Sequence, residues 1–189
     1  SKNNIKTIIT EAESSIKLNK NHALNIGLNN TNLMADATNF NEFKTQNRAS
    51  IFTSYKYTKK KLKASLSLRQ ELVDKSFAPF TYTFGGSYSI QKNLSLDGSI
   101  GKVYRLPNFN DLYWNPGGNE NLLAENGYTQ EISINYKKLL ANKVIFKVTG
   151  TVFNKNIDNW IIWLPSGNVW SPHNVMNVWS RGTETHTSL

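Results

Sequence analysis

The sequence predicts an all-β chain, an antiparallel segment of a transmembrane β-barrel with about nine strands. Three observations predict it. Apolar and polar residues alternate with a period of two over most of the chain. The alternating runs are about ten residues long, which suits a tilted strand crossing a bilayer, whereas a soluble-sandwich strand has about 5–6 residues. The connections alternate between short and long, as in barrels with tight turns on one side of the membrane and extended loops on the other.

The strands are expected at 5–18, 22–33, 45–57, 61–73, 79–91, 93–105, 126–138, 143–163 and 174–188. The first is weakly patterned, and Leu24, Ile26 and Leu28 mark the second. In the third, Ala49, Ile51, Tyr55 and Tyr57 oppose Ser50, Ser54 and Lys56. In the fourth, Leu62, Ala64, Leu66, Leu68 and Leu72 oppose Lys61, Lys63, Ser65, Ser67, Arg69 and Glu71. Tyr82, Phe84, Tyr88 and Ile90 then oppose Thr81, Thr83, Ser87 and Ser89. Leu94, Leu96, Ile100 and Tyr104 oppose Ser95, Asp97, Ser99 and Arg105. Tyr128, Ile132, Ile134 and Tyr136 oppose Thr129, Glu131, Ser133 and Asn135. Val144, Phe146, Val148 and Val152 oppose Lys147, Thr149 and Thr151. A strand puts each pair of sets on opposite faces, one made for lipid and one for water. No amphipathic helix is expected.

Short turns fall near 19–21, 58–60, 91–93 and 139–142, and longer links near 34–44, 74–78, 106–125 and 164–168. Lys17, Lys20, Lys59, Lys60, Lys61, Lys92, Lys137, Lys138 and Lys143 gather at the short turns, and the acids Asp36, Glu42, Asp74, Asp111, Glu120, Glu125 and Asp158 at the long links. A formal net charge of +9 admits a nucleic-acid partner. A rim of lysines at one end is not a groove-sized basic surface, so no nucleic acid is expected. Tyr55, Tyr57, Tyr88 and Tyr136 lie toward the short-turn end, and Tyr82, Tyr104, Tyr128, Trp160 and Trp163 toward the long-loop end. Aromatic rings favour the two membrane–water interfaces.

Catalytic chemistry is not expected. The chain has no cysteine, and His22, His173 and His186 have no metal-ligand spacing. No nucleophile–base arrangement or phosphate loop is present, so the reading is a non-enzyme with no cofactor and no metal. Only the outer-loop acids Asp111, Glu120 and Glu125 offer the oxygens calcium prefers. No run of about 18 apolar residues suggests a transmembrane helix. The opening SKNNIKT has no apolar leader, so Ser1 is expected to be a processed end or a cut within a longer chain.

The most informative stretch is VYRLPNFNDLYWNPGGNENLLAENGYTQEISINY, from Val103 to Tyr136. It resembles the signature of TonB-dependent receptors, an Arg-x-Pro-x-Phe-x-Asp-Leu-Tyr strand end, a Gly-Asn-x-x-Leu-x-x-Glu loop and a strand with an early Glu. The matching positions are Arg105, Pro107, Phe109, Asp111, Leu112, Tyr113, Gly118, Asn119, Leu122, Glu125 and Glu131. Ala124 stands where the family usually has proline. FNKNIDNWIIW, from Phe153, and Asn177, Gly182 and Glu184 near the end resemble later family segments.

The resemblance implies that residues 1–189 are part of the outer-membrane barrel domain of a receptor importing a scarce nutrient, such as cobalamin or a ferric siderophore. The whole barrel would have about 22 strands and a plug. Neither the plug nor the box that contacts the TonB complex is expected in this stretch, and Leu189 is not the terminal aromatic such barrels finish on. Implied partners are membrane lipid, lipopolysaccharide, a small nutrient ligand, and the TonB complex through other parts of the receptor. The loop residues Tyr113, Trp114, Asn115, Asn119 and Asn121 are the candidates for ligand contact. Tyr113 and Trp114 offer flat faces and the asparagines hydrogen bonds, while Trp114 is equally open to a packing role. Leu112 and Leu122 are expected to fold the loop onto the rim. Arg105 and Glu131 are expected to pair across neighbouring strands.

Two other classes share parts of this pattern. A passive porin-type wall matches the composition but not the stretch from Val103 to Tyr136. A soluble β-rich carbohydrate- or nucleic-acid-binding module requires Leu62, Leu66, Leu96 and Val148 to meet in a closed core.

Overall fold

The computed structural model describes residues 3–140 and 144–189, the side chain of Met176 excepted. Its strands are β1 (Asn3–Lys17), β2 (His22–Ala37), β3 (Lys44–Lys59), β4 (Leu62–Val73), β5 (Ser76–Phe77), β6 (Thr81–Gln91), β7 (Leu94–Arg105), β8 (Glu125–Leu139), β9 (Ile145–Ser166) and β10 (Val169–Ser188). One short helix, α1 (Phe109–Tyr113), lies between β7 and β8. The strands form a single ten-stranded sheet in the order β1-β2-β3-β4-β6-β7-β8-β9-β10, with the two-residue β5 folded back on β4. Every pairing is antiparallel, so the sheet is a meander whose edges are β1 and β10.

The register keeps the two faces separate. Leu66 is opposite Tyr55 and Phe84, and Ser67 is opposite Ser54 and Thr83. Leu96 is opposite Tyr88 and Ile134, and Asp97 is opposite Ser87 and Ser133. Among the described residues nothing covers the apolar face: Leu62, Leu66 and Leu96 are 40–44% exposed, and Ile132 and Val152 about 60%. Val148 is half-buried. A soluble sheet could not leave so broad an apolar surface in water. The closed core required of a soluble module is therefore absent among the described residues. The buried apolar side chains, Ala35, Phe40, Ala78, Ile157 and Ile161, all sit at the long-loop end. Ser50, Glu71 and Glu125 are buried on the polar face, which is the sheltered one.

Several expectations need correction. The link at 106–125 contains α1, too short to carry an amphipathic period. The link at 164–168 is a tight turn, with Ser166 paired to Val169 and Gly167 at φ 62°. β10 therefore begins at Val169, ahead of the expected 174. Pro172 lies within β10, paired opposite Trp163, and is fully buried. Trp163 also leaves the expected outer girdle, turning its indole toward the polar side to reach α1. The turn at 139–142 and Lys143 fall partly or wholly on residues 141–143, outside the described residues.

Candidate functional site

The long-loop end is built on Arg105 and Glu125, which close the pairing of β7 with β8. The Arg105 guanidinium donates to both carboxylate oxygens of Glu125, Nε to Oε2 at 2.9 Å and Nη2 to Oε1 at 2.5 Å. Its Nη1 reaches Asp111 Oδ2 at 3.4 Å. A planar guanidinium suits this forked arrangement, which a lysine could not reproduce. Both carboxylates are buried and fully engaged. Glu125 Oε1 also accepts from the Ile161 amide at 2.8 Å, and Asp111 Oδ1 from the Trp163 indole at 3.1 Å. Arg105 thus stands between Asp111 and Glu125 where a cation would have to sit. Glu120 is exposed, and among the described residues no group of three or more acids and histidines could hold a metal.

Glu131 does not pair with Arg105. It lies on the same face but opposite Ser99, six residues along β8 from Glu125, a separation of roughly 20 Å. Alternation assigns a face to a residue and says nothing about its height on the strand. The partner of Arg105 is the glutamate at the start of β8.

Asp111 also shapes the local chain. Asn108 caps α1 by accepting from the Asp111 amide at 2.9 Å, and Asp111 Oδ2 accepts from the Asn108 amide at 3.0 Å. This reciprocal capping box starts a helix of only five residues. Its sequence signal is Asn108-x-x-Asp111, which alternation alone overlooks. Pro107 is buried just before the cap. Past the helix, the Gly118 amide donates to Trp114 O and the Asn119 amide to Asp111 O at 2.9 Å. A Cβ at Gly118 would lie 2.6 Å from Trp114 N and 2.7 Å from Leu112 O, so only glycine fits this turn. Gly117, at φ 121°, lies as tightly against Trp170 O.

Two neighbouring hairpins hold the loop from either side. From β9–β10, Asn174 exchanges hydrogen bonds with the Leu123 backbone at 2.9 and 3.1 Å, and Asn119 Nδ2 donates to Pro172 O at 3.1 Å. From the β2–β3 loop, Asn39 O accepts from the Asn115 amide at 2.8 Å, and Asn41 Oδ1 from Asn115 Nδ2 at 2.5 Å. Phe40 meets the Tyr113 ring edge-on at 6.4 Å, and Lys44 Nζ stands 4.3 Å from its centroid. Sequence reasoning did not find Asn39, Phe40, Asn41, Lys44 or Asn174, which are distant in the chain and carry no motif. Leu112 and Leu122 are half-buried.

The result is an open depression of about 330 Å³. Tyr113, Trp114, Asn115, Asn119 and Asn121 all line it, with Asn41, Lys44 and Glu120. Trp114 is half-buried, so its ring is partly packed and partly presented. Burial, reinforced by Glu120 and opposed by Lys44, holds the Tyr113 phenol above the usual tyrosine value. The Lys44 ammonium, hydrogen-bonded to Glu42 at 2.6 Å, holds that carboxyl below its usual range. The depression offers amides, flat rings and one charge of each sign. That is equipment for gripping a polar ligand with flat surfaces.

Residues 11–188 match the family described as "TonB dependent receptor-like, beta-barrel". The chain belongs to this family. Its members are outer-membrane β-barrels, and this chain forms part of such a wall. Among curated relatives, the vitamin B12 transporter BtuB of Vibrio vulnificus (strain YJ016) is 28% identical over 153 residues, covering 79% of this chain and 24% of the relative. BtuB of Photobacterium profundum is 33% identical over 110 residues, covering 55% of this chain and 17% of the relative. Among solved structures, the siderophore receptor PirA of Pseudomonas aeruginosa superposes with a TM-score of 0.82 at 14% identity, over 97% of this chain and 37% of that one. The ferric enterobactin receptor PfeA of the same organism superposes at 0.80 and 16% identity, over 97% and 33%. The chain therefore spans about a quarter of the length of the first of these relatives and about a third of these structures. It takes its place in the family as an unclosed run of barrel wall.

Proposed function

We propose that this chain is the wall and ligand-gripping rim of a receptor that imports a scarce nutrient across the bacterial outer membrane. The nutrient class is a cobalamin or an iron–siderophore complex. Its energy comes from the TonB complex, acting through a plug and contact segment that belong to other parts of the receptor. The observation that carries the reading is the Arg105–Glu125–Asp111–Trp163 network. Such a network fixes a loop against a rigid wall and keeps Tyr113, Trp114, Asn115, Asn119 and Asn121 around one depression. The names of the relatives support the nutrient class. The contribution of this stretch is binding and passage, with no bond made or broken.

The test uses the full-length receptor. W114A combined with N119A should weaken binding of the transported nutrient by about tenfold or more, while heat-modifiable migration of the barrel stays unchanged. Uptake by cells should vanish when TonB is deleted. Uptake that survives TonB deletion would point instead to a passive pore.

A further inference from the structure

The depression holds a sheltered cation. Lys44 opens β3, its side chain is 17% exposed, and its ammonium lies 4.3 Å from the centroid of the Tyr113 ring. It lines the depression with Asn41, Tyr113, Trp114 and Asn115. A charge withdrawn from water in this way needs an anion beside it. That anion is Glu42, two positions earlier in the link from β2 to β3, whose Oε1 lies 2.6 Å from Lys44 Nζ. Glu120, the acid that lines the depression, forms no ion pair with Lys44 among the described residues.

The pair inverts the anchor at Arg105. There the cation is 45% exposed and both carboxylates are buried, each held by a further donor, the Ile161 amide or the Trp163 indole. Here the cation is sheltered and the carboxylate is 72% exposed. Among the described residues Lys44 is the only hydrogen-bond partner of the Glu42 side chain, and Glu42 does not line the depression. An exposed carboxylate on a single bond is weakly held and exchanges readily. The first arrangement fixes a loop. The second keeps a cation charge-balanced and still within reach of a ligand.

We infer that Glu42 is a tethered placeholder in a seat for an anionic oxygen of the nutrient, and that Lys44 is the residue selecting for it. An arriving carboxylate, phosphate or phenolate takes the place of the Glu42 carboxylate on Lys44. The exchange keeps one ion pair before and after, and it returns to water a carboxylate that was already largely solvated. The nutrient prevails because it also meets the rings of Tyr113 and Trp114 and the amides of Asn115 and Asn119. A neutral molecule gains nothing from Lys44 and leaves the pair closed, so the seat discriminates by charge. Being tethered, Glu42 competes at high effective concentration and lowers the apparent affinity. The inference rests on the nutrient reading and narrows it to a ligand with an anionic oxygen.

The experiment measures the affinity of the full-length receptor by titration calorimetry. The probes are ferric enterobactin, with phenolate oxygens, vitamin B12, with a phosphodiester, and cobinamide, the corrinoid without that phosphodiester. For an anionic probe that binds wild type, K44Q should weaken binding about tenfold and K44R should keep it within about threefold. E42Q should tighten binding about threefold, and E42Q/K44Q should match K44Q, because Glu42 acts only through Lys44. If the phosphodiester is the anion, wild type should favour vitamin B12 over cobinamide by about tenfold, and K44Q should remove the preference. Unchanged or weaker binding in E42Q would overturn the assignment. So would an equal gain from E42Q in both backgrounds, which is general repulsion, or equal binding of the two corrinoids by a receptor that ignores ferric enterobactin. W114A/N119A keeps the two readings apart. Weakening by that variant with inert charge variants sinks this seat alone, while a receptor that binds none of the probes sinks the nutrient reading with it.

Discussion

Arg105 and Glu125 face each other at the top of β7 and β8, joined by two hydrogen bonds, with the carboxylate buried and the guanidinium side chain 45% exposed. The pair closes the sheet at the point where the 106–124 loop leaves and returns. Because Arg105 also touches Asp111, it ties the end of the wall to the helix that starts the loop.

Arg105→Gln should strand the buried carboxylates of Glu125 and Asp111. The expected cost is about 1–3 kcal/mol, reduced from a fully buried pair by the exposure of the guanidinium. Limited proteolysis of the full receptor should show faster cutting between residues 112 and 122, with the barrel core intact. Arg105→Lys should rescue little, since an ammonium cannot bridge three oxygens in this plane. Equal protease resistance in all three proteins would remove the network from its anchoring role.

Gly118→Ala should disturb the loop without touching the wall. The added carbon meets two backbone atoms at 2.6 and 2.7 Å, and backbone does not yield cheaply. Nutrient affinity should drop by about tenfold or more, with an unchanged thermal midpoint of the barrel. Unaltered affinity would mean that the shape of the loop tip does not matter for binding.

The raised titration of Tyr113 gives the loop a dependence on alkaline pH. Burial favours the neutral phenol in the ordered loop, ahead of the effect of Glu120. A group with a raised folded value contributes its full stability below the ordinary tyrosine value, near pH 10, and loses it as pH rises through the raised value. Loop protection against an alkaline protease should therefore decline above about pH 10 in wild type and decline less in Tyr113→Phe. Identical profiles would exclude the phenol as the cause.

A charge placed on either face should have different costs. Ile132→Arg, in the exposed apolar band, should destabilise the refolded receptor in lipid by about 2–4 kcal/mol. Ser133→Arg, one residue away on the polar face, should cost less than about 1 kcal/mol. Denaturant titration in vesicles measures both, and equal costs would contradict the assignment of the faces.

Much of this was legible because strand alternation is a local code. Leu66 and Ser67 announce their faces through their immediate neighbours, and nine expected strands reappear within a few residues of their places. The code loses height and identity of partner. It put Arg105 and Glu131 on the same face correctly and still paired them wrongly, since nothing local records that Glu125 sits directly opposite. It also misread the top of β9 and β10, where Pro172, Asn168 and Gly167 look like a loop but belong to a hairpin that outgrows its neighbours. The depression was half legible. The motif pointed to Tyr113, Trp114, Asn115, Asn119 and Asn121, which do gather in one place. The hands that hold them, Asn39, Asn41 and Asn174, are ordinary residues made specific only by folding.

The central claim is that even-numbered residues of β8 meet lipid while odd-numbered ones meet water. Spin labels placed singly from residue 129 to 136 of the full receptor in a bilayer test it, through collision rates with oxygen and with a water-soluble nickel complex. The account predicts oxygen maxima at 130, 132, 134 and 136 and nickel maxima at 129, 131, 133 and 135, a strict period of two. Rates that fail to alternate, or alternate in the opposite phase, would contradict it.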